Sequence, residues 1–151
     1  MVPEVALVSP DAEIAERLSS IHGTCFSGSA HWKAAAFLKL GQPPQGAVIS
    51  DLDQVSSVLA LRFAADEGEV LTLAVAPPDR RSGLAEALLS CGARIAVAQG
   101  VSRLFLEVAI DNDPAKALYL KFGFDEIARR KGYYRRNSGA RVDALVMELV
   151  L

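Results

Sequence analysis

An α/β fold, with one central mixed β-sheet flanked by helices on both faces, is predicted by three observations in this sequence. Strand-like and helix-like stretches follow the order β-α-α-β-β-β-α-β-α-β-β, about seven strands and about four helices. Residues 69–108 read as strand, long helix, strand, a unit that implies a parallel pair and a right-handed crossover. Residues 47–65 read as two strands with a short Asp-rich link, consistent with an antiparallel hairpin.

Each element has its own signal. "EVALVS" (4–9) is a first strand. "SPDAEIAERLSSIHG" is a helix with Ser9 or Asp11 near its start and Gly23 at its end. "SAHWKAAAFLKLG" (29–41) is a second helical stretch closed by Gly41, and "QPPQG" is a turn. "AVISD" and "VSSVLALRFAA" are strands, and "DEG" turns into "EVLTLAV", apolar on nearly every residue and so expected to be buried on both faces. The helix at about 81–99 carries Leu84, Leu88, Cys91, Ile95 and Ala98 on one stripe and ends at Gly100. "RLFLEV" (103–108) is a strand. "DNDPAKALYLKFG" is a short helix with Asp113 as N-cap, Pro114 at its first position and Gly123 past its end. "FDEIARRKGYYRR" and "RVDALVMELV" close the sheet around the turn "NSGA".

The length fits one domain, residues 1–151, and half the residues are apolar, enough for a core without covalent staples. A net charge of -2 supplies no overall basic field for nucleic acid. The two cysteines, Cys25 and Cys91, match no metal or redox spacing, which implies a reduced, cytoplasmic setting and no metal. The N-terminus lacks the basic and apolar regions of a signal peptide, and no apolar run approaches a membrane span.

The turn "RRSGLA" (80–85) opens the long helix. The first turn of a helix leaves backbone N–H groups unpaired at the positive end of its dipole. Gly83 and Ala85 let an anion approach closely, and Arg80 and Arg81 add charge, so the turn is a candidate pyrophosphate cradle. A plain connection with solvated arginines is the alternative. A P-loop is excluded because no Gly-Lys-Ser/Thr ending is present. A dinucleotide fingerprint is excluded because it needs three glycines after a first strand.

"RRSGLA" resembles the (Arg/Gln)-x-x-Gly-x-(Gly/Ala) acyl-CoA signature of the GNAT superfamily of N-acetyltransferases, and the element order resembles that fold. "LTLAVAPPDRRSGLAEALL", "LFLEVAIDNDPAKALYLKFGF" and "RRKGYYRRNSGARVDALVMEL" are similar, in order, to bacterial enzymes of the RimI type, which acetylate the N-terminal alanine of a ribosomal protein. The first 68 residues match weakly, through "CFSGSAHW" (25–32). The resemblance implies acetyl-CoA as co-substrate and a protein N-terminus as partner. It implies backbone contacts to the thioester and pantetheine at Leu73, Ala74 and Val75. The pyrophosphate would then lie on Arg80, Arg81, Ser82, Gly83, Leu84, Ala85 and Glu86, with a further cofactor contact at Asn112. Glu107 matches the family's general base and Tyr119 its general acid. The chain departs from the pattern at Ala85, which stands for the second glycine, and at Ala76, which stands for a commonly acidic residue. Its third strand also lacks the usual glycine.

Read from the residues alone, Glu107 shares a strand face with Phe105, opposite Leu104, Leu106 and Val108, and a charge on a central strand is either paired or functional. Tyr119 is either an acid or a core aromatic. Phe26 and Trp32 either wall a substrate groove or pack in the core. Tyr133 and Tyr134, in "GYYRR", either border the mouth for a peptide or belong to a solvated strand end. His22 and His31 read as structural or surface residues. Three functions compete: N-terminal α-amine acetylation, acetylation of a lysine or small amine, and acyl-CoA binding without turnover.

Overall fold

The structure, a computed structural model, describes residues 3–40 and 42–151. The seven strands are β1 (Val5–Val8), β2 (Gly46–Asp51), β3 (Ser57–Ala64), β4 (Glu67–Val75), β5 (Arg103–Ala109), β6 (Asp125–Arg135) and β7 (Arg141–Val150). They form one sheet in the order β1-β2-β3-β4-β5-β7-β6. The β4–β5 pair is parallel and every other pairing is antiparallel, so the sheet is mixed as expected. The helices are α1 (Ala12–Gly23), α2 (Ala34–Lys39), α3 (Leu84–Ala98) and α4 (Asp113–Phe122).

The main core joins α3 and α4 to one face of the sheet, through Leu88, Leu104, Leu106, Phe124 and Met147 among others. A smaller core on the other face packs α1 and α2 on Val48, Val58 and Ala74 of β2, β3 and β4. That second core draws no residue from β5, β6 or β7, so this face lies open over the far half of the sheet.

Three boundaries differ from the sequence reading. The second helix begins at Ala34, after a single 3-10 turn at Gly28–Ala30, rather than running from 29. The backbone between is diverted: Trp32 N–H donates to His22 Nδ1 (3.0 Å) and Trp32 C=O accepts from Ser19 Oγ (2.9 Å), leaving neither group for a helix. The expected stop at Gly41 lies outside the described residues. The long helix starts at Leu84, because Arg81 (φ 60°) and Gly83 (φ 86°) are left-handed. At its other end Ala98 is exposed and Val101 enters the core instead, with Val101 N–H donating to Ala96 C=O (3.0 Å). Asn112, not Asp113, caps α4: its side chain accepts from Ala115 N–H, which moves Pro114 to the second helical position.

β4 carries the feature that shapes the site. Its register with β3 slips where Ala60 faces Thr72 but Leu61 faces Val70, so Leu71 is an unpaired bulge residue. In a regular strand residues 70, 72 and 74 would share a face. Here Val70, Leu73 and Val75 pack in the main core, while Ala74 belongs to the smaller core and Thr72 bonds His22 of α1. The bulge thus exchanges the two faces midway along the strand.

Candidate active site

The parallel ladder of β4 and β5 covers only Glu67↔Arg103, Gly68↔Leu104 and Glu69↔Phe105. Beyond it β4 stays paired to β3 as far as Val75, and β5 to β7 as far as Ala109. Among the described residues no strand fills the gap, so the sheet splits into a wedge. Leu73, Ala74 and Val75 lie at its wide end on the β4 side. Backbone donors and acceptors on that inner edge have no ladder partner, and an edge of this kind receives an extended polar ligand.

The turn after β4 is built to leave N–H groups free. Pro77–Asp79 makes one 3-10 turn, and Ser82 Oγ donates to Asp79 C=O (2.5 Å), closing the loop on itself. Gly83 is the N-cap of α3 and offers no capping side chain, so the N–H groups of Leu84, Ala85 and Glu86 point outward without a side-chain cap. A hollow of about 430 Å³ runs along the flank of α3, from Ser82 and Gly83 past Ser90, and is closed on its other side by Glu4 and Val5. The nearest atom to a side chain added at Gly83 would be Pro3 Cδ at 3.8 Å, so the approach is open. These features fit a pyrophosphate.

Arg80 also has partners outside the turn. Its Nε–H donates to Val75 C=O (3.1 Å) and its Nη2–H to Cys25 Sγ (3.3 Å), while the Cys25 thiol also donates to Val75 C=O (3.4 Å). The guanidinium therefore braces the wide end of the wedge. Arg81 and Ser82 remain exposed in the turn, and Glu86 pairs with Lys121 of α4 (2.8 Å).

Glu107 lies on β5 beside the wedge, on the open face. It lines a groove of about 390 Å³ with Arg62, Glu69, Phe105, Arg130 and Val146. Its carboxylate is paired with Arg130 (2.9 Å). It also holds the Tyr133 phenol above its ordinary value, chiefly as a hydrogen-bond partner. Nothing in the spacing of residues 129–131 signals the pairing of Arg130, which lies just outside "GYYRR".

Tyr119 is buried beneath this region and meets Phe124 edge to face at 5.6 Å. Burial, with a smaller contribution from Tyr134, pushes its phenol up to about 12. Tyr134, half-buried, is likewise raised to about 12 by burial first and then by Glu107 and Tyr133. Tyr134 thus lies within electrostatic reach of both Glu107 and Tyr119. Asn112 sits at the start of α4 with its side-chain oxygen already engaged as the cap.

The histidines are structural. His22 is buried, its Nε2–H donating to Thr72 Oγ1 (2.8 Å), and it stacks on Phe26 at 4.4 Å. His31 bonds Ser19 C=O (2.7 Å). Trp32 and Phe26, both partly buried, pack against the smaller core.

A sheet that splits beside an uncapped helix start, with a carboxylate on the open face, is the architecture of an acyl-CoA-dependent acyltransferase. The chain belongs to the Acetyltransferase (GNAT) family, which matches residues 11–124, and it is an N-acetyltransferase with acetyl-CoA as co-substrate. Its relatives include the ribosomal protein bS18-alanine N-acetyltransferase of Haemophilus ducreyi, 34% identical over 102 residues, 68% of this chain and 70% of that one. The protein of the same name in Escherichia coli is 40% identical over 84 residues, 56% of each chain. The crystal structure of the Escherichia coli ribosomal-protein-S18-alanine N-acetyltransferase superposes with a TM-score of 0.80 at 26% identity, covering 97% of this chain and 94% of that one. The fold class expected from the sequence is the one observed. No described helix is long and apolar enough to cross a membrane.

Proposed function

We propose that this protein transfers the acetyl group of acetyl-CoA to the α-amine of an N-terminal alanine on a ribosomal protein, by direct attack of the amine, in the cytoplasm. The observation that carries the reading is Glu107 on the open sheet face beside the wedge, in a chain similar along most of its length to enzymes of that name. Residues 1–151 act as one catalytic domain.

Acetyl-CoA supplies the acyl group as a reactive thioester. The backbone of Leu73, Ala74 and Val75 aligns the thioester and pantetheine. Val75 C=O is taken by Arg80 and Cys25, so its N–H is the group left to polarise the acetyl carbonyl. The turn from Arg80 to Glu86, with Arg81, Ser82, Gly83, Leu84 and Ala85 between them, holds the pyrophosphate. Asn112 contributes through its amide N–H₂, the oxygen being the α4 cap.

The nucleophile must be neutral. At pH 7 roughly a tenth of α-amines of pKa about 8 are neutral, against a few in ten thousand lysines of pKa about 10.4. A carboxylate relaying through water is an adequate base for the first class, and Glu107 takes that proton. Tyr119 gives a proton to the departing sulfur. Because its phenol is raised to about 12, it is loaded with that proton throughout the neutral range.

The test is turnover with acetyl-CoA and a peptide beginning with alanine, the acetyl group being located by mass spectrometry. Acetylation of the α-amine is expected. Acetylated lysine or polyamine with an untouched α-amine would reassign the acceptor, and cofactor binding without turnover on any amine would make this a binding module.

A further inference from the structure

We propose that Arg130 is a positioning residue that cancels the charge of Glu107 and so biases the acceptor site toward the neutral, reactive form of an α-amine. The inference rests on the reading of Glu107 as the base.

The sheet register explains why this arginine reaches this carboxylate. Glu107 of β5 faces Val146 of β7, and Val146 faces Ala128 of β6. Two small apolar residues fill that row, and Arg130, two positions beyond Ala128, extends diagonally across it to bring Nε to 2.9 Å from Glu107 Oε1. The guanidinium also lies over an aromatic ring. Its central carbon lies 5.4 Å from the centre of the Tyr133 ring. The β6–β7 register breaks between Arg130 and Tyr134. That break is anchored by Asp143, which accepts from Gly132 N–H (2.8 Å) and Arg129 Nε–H (2.7 Å). Arg130 already shares the groove face with Ala128, and the break brings Tyr133 to that face as well.

The charges around Glu107 make the pairing matter. From β3 and β4 the groove receives Arg62 and Glu69, already paired at 2.5 Å, and Glu67 at the rim. From β6 come Arg130 and the neutral phenols Tyr133 and Tyr134. From β7 the residue facing Glu107 is the uncharged Val146, and Glu148 pairs with Arg103. Without Arg130, Glu107 is an uncompensated anion with its side chain 20% exposed. Such an anion would hold an arriving amine as ammonium, which binds well and cannot attack.

The experiment measures single-turnover acetyl transfer at saturating alanine peptide against pH, in wild type, Arg130→Lys, Arg130→Gln, Glu107→Gln and the Glu107→Gln/Arg130→Gln double variant. Arg130→Gln should bind the peptide as tightly or more tightly, yet its rate should rise with pH about one unit later than wild type. Arg130→Lys, which keeps the charge, should stay near wild type. In the double variant the displacement should vanish, since no unpaired anion remains. An unshifted midpoint in Arg130→Gln, whatever its rate, overturns the proposal, as does a displacement that survives in the double variant. Failure of the parent reading has a separate signature: wild-type turnover in Glu107→Gln at every pH. Circular dichroism of each variant confirms that the fold is kept.

Discussion

At the scale of single residues, the chemistry rests on groups whose surroundings differ sharply. Glu107 meets solvent, an arginine and a phenol, so its removal should touch proton transfer and little else. Glu107→Gln is expected to lower turnover by about 10²- to 10⁴-fold with acetyl-CoA affinity unchanged, the first read by steady-state kinetics and the second by calorimetry. Equal losses in both would make the residue a structural support of the wedge. Tyr119 is the opposite case, an almost fully buried ring whose hydroxyl is the group in question. Tyr119→Phe keeps the ring and its packing on Phe124. It should therefore retain the melting temperature to within a few degrees while losing turnover. A lowered melting temperature with normal turnover in the surviving fraction would assign Tyr119 to the core alone.

At the scale of elements, the cofactor turn and the β6–β7 hairpin offer a matched comparison. Gly83 and Gly139 both have φ 86°, and neither has a close neighbour for an added side chain. Alanine at either position should cost about 1–2 kcal/mol from the left-handed backbone. Only Gly83→Ala should also raise the KM for acetyl-CoA, because only that turn faces the pyrophosphate; a similar rise in Gly139→Ala would undo the assignment. Elements of this kind were legible in the sequence wherever local periodicity and turn residues decide structure. The long helix, the parallel unit and the order of elements along the chain follow from apolar spacing and from glycines. What escaped depends on contacts between distant residues. The start of α2 is set by Ser19 and His22 capturing the backbone of Trp32. The bulge at Leu71 appears only once β3 and β4 are in register. The role of Arg130 escaped because its partner lies two strands away.

At the scale of the whole molecule, one buried contact ties the α1–α2 layer to the split strand and gives the fold a definite pH dependence. His22 accepts from Trp32 N–H at Nδ1, so its single ring proton sits on Nε2 and is donated to Thr72 beside the β4 bulge. A second proton on Nδ1 would break the Trp32 bond and place a charge in the core. Burial first, and the neighbouring His31 second, accordingly lower this imidazole to about 4 from an ordinary 6.5. A histidine held below its unfolded value binds its proton more readily in the unfolded chain, so protonation favours unfolding. The stability it secures is complete above pH 6.5 and is lost as pH falls toward 4, amounting to about 2.5 kcal/mol by pH 4.5. Asp51, lowered by its bonds to Ser57 and Ser56 against the opposing effect of burial, acts in another window: its share is present above its ordinary value of 3.8 and is lost only below it. Urea unfolding at pH 7 and pH 4.5 therefore isolates His22. The wild-type midpoint should fall between those two pH values, and His22→Gln, less stable at pH 7, should show little further loss. An equal decline in the variant would mean that the imidazole is not what couples the α1–α2 layer to the sheet.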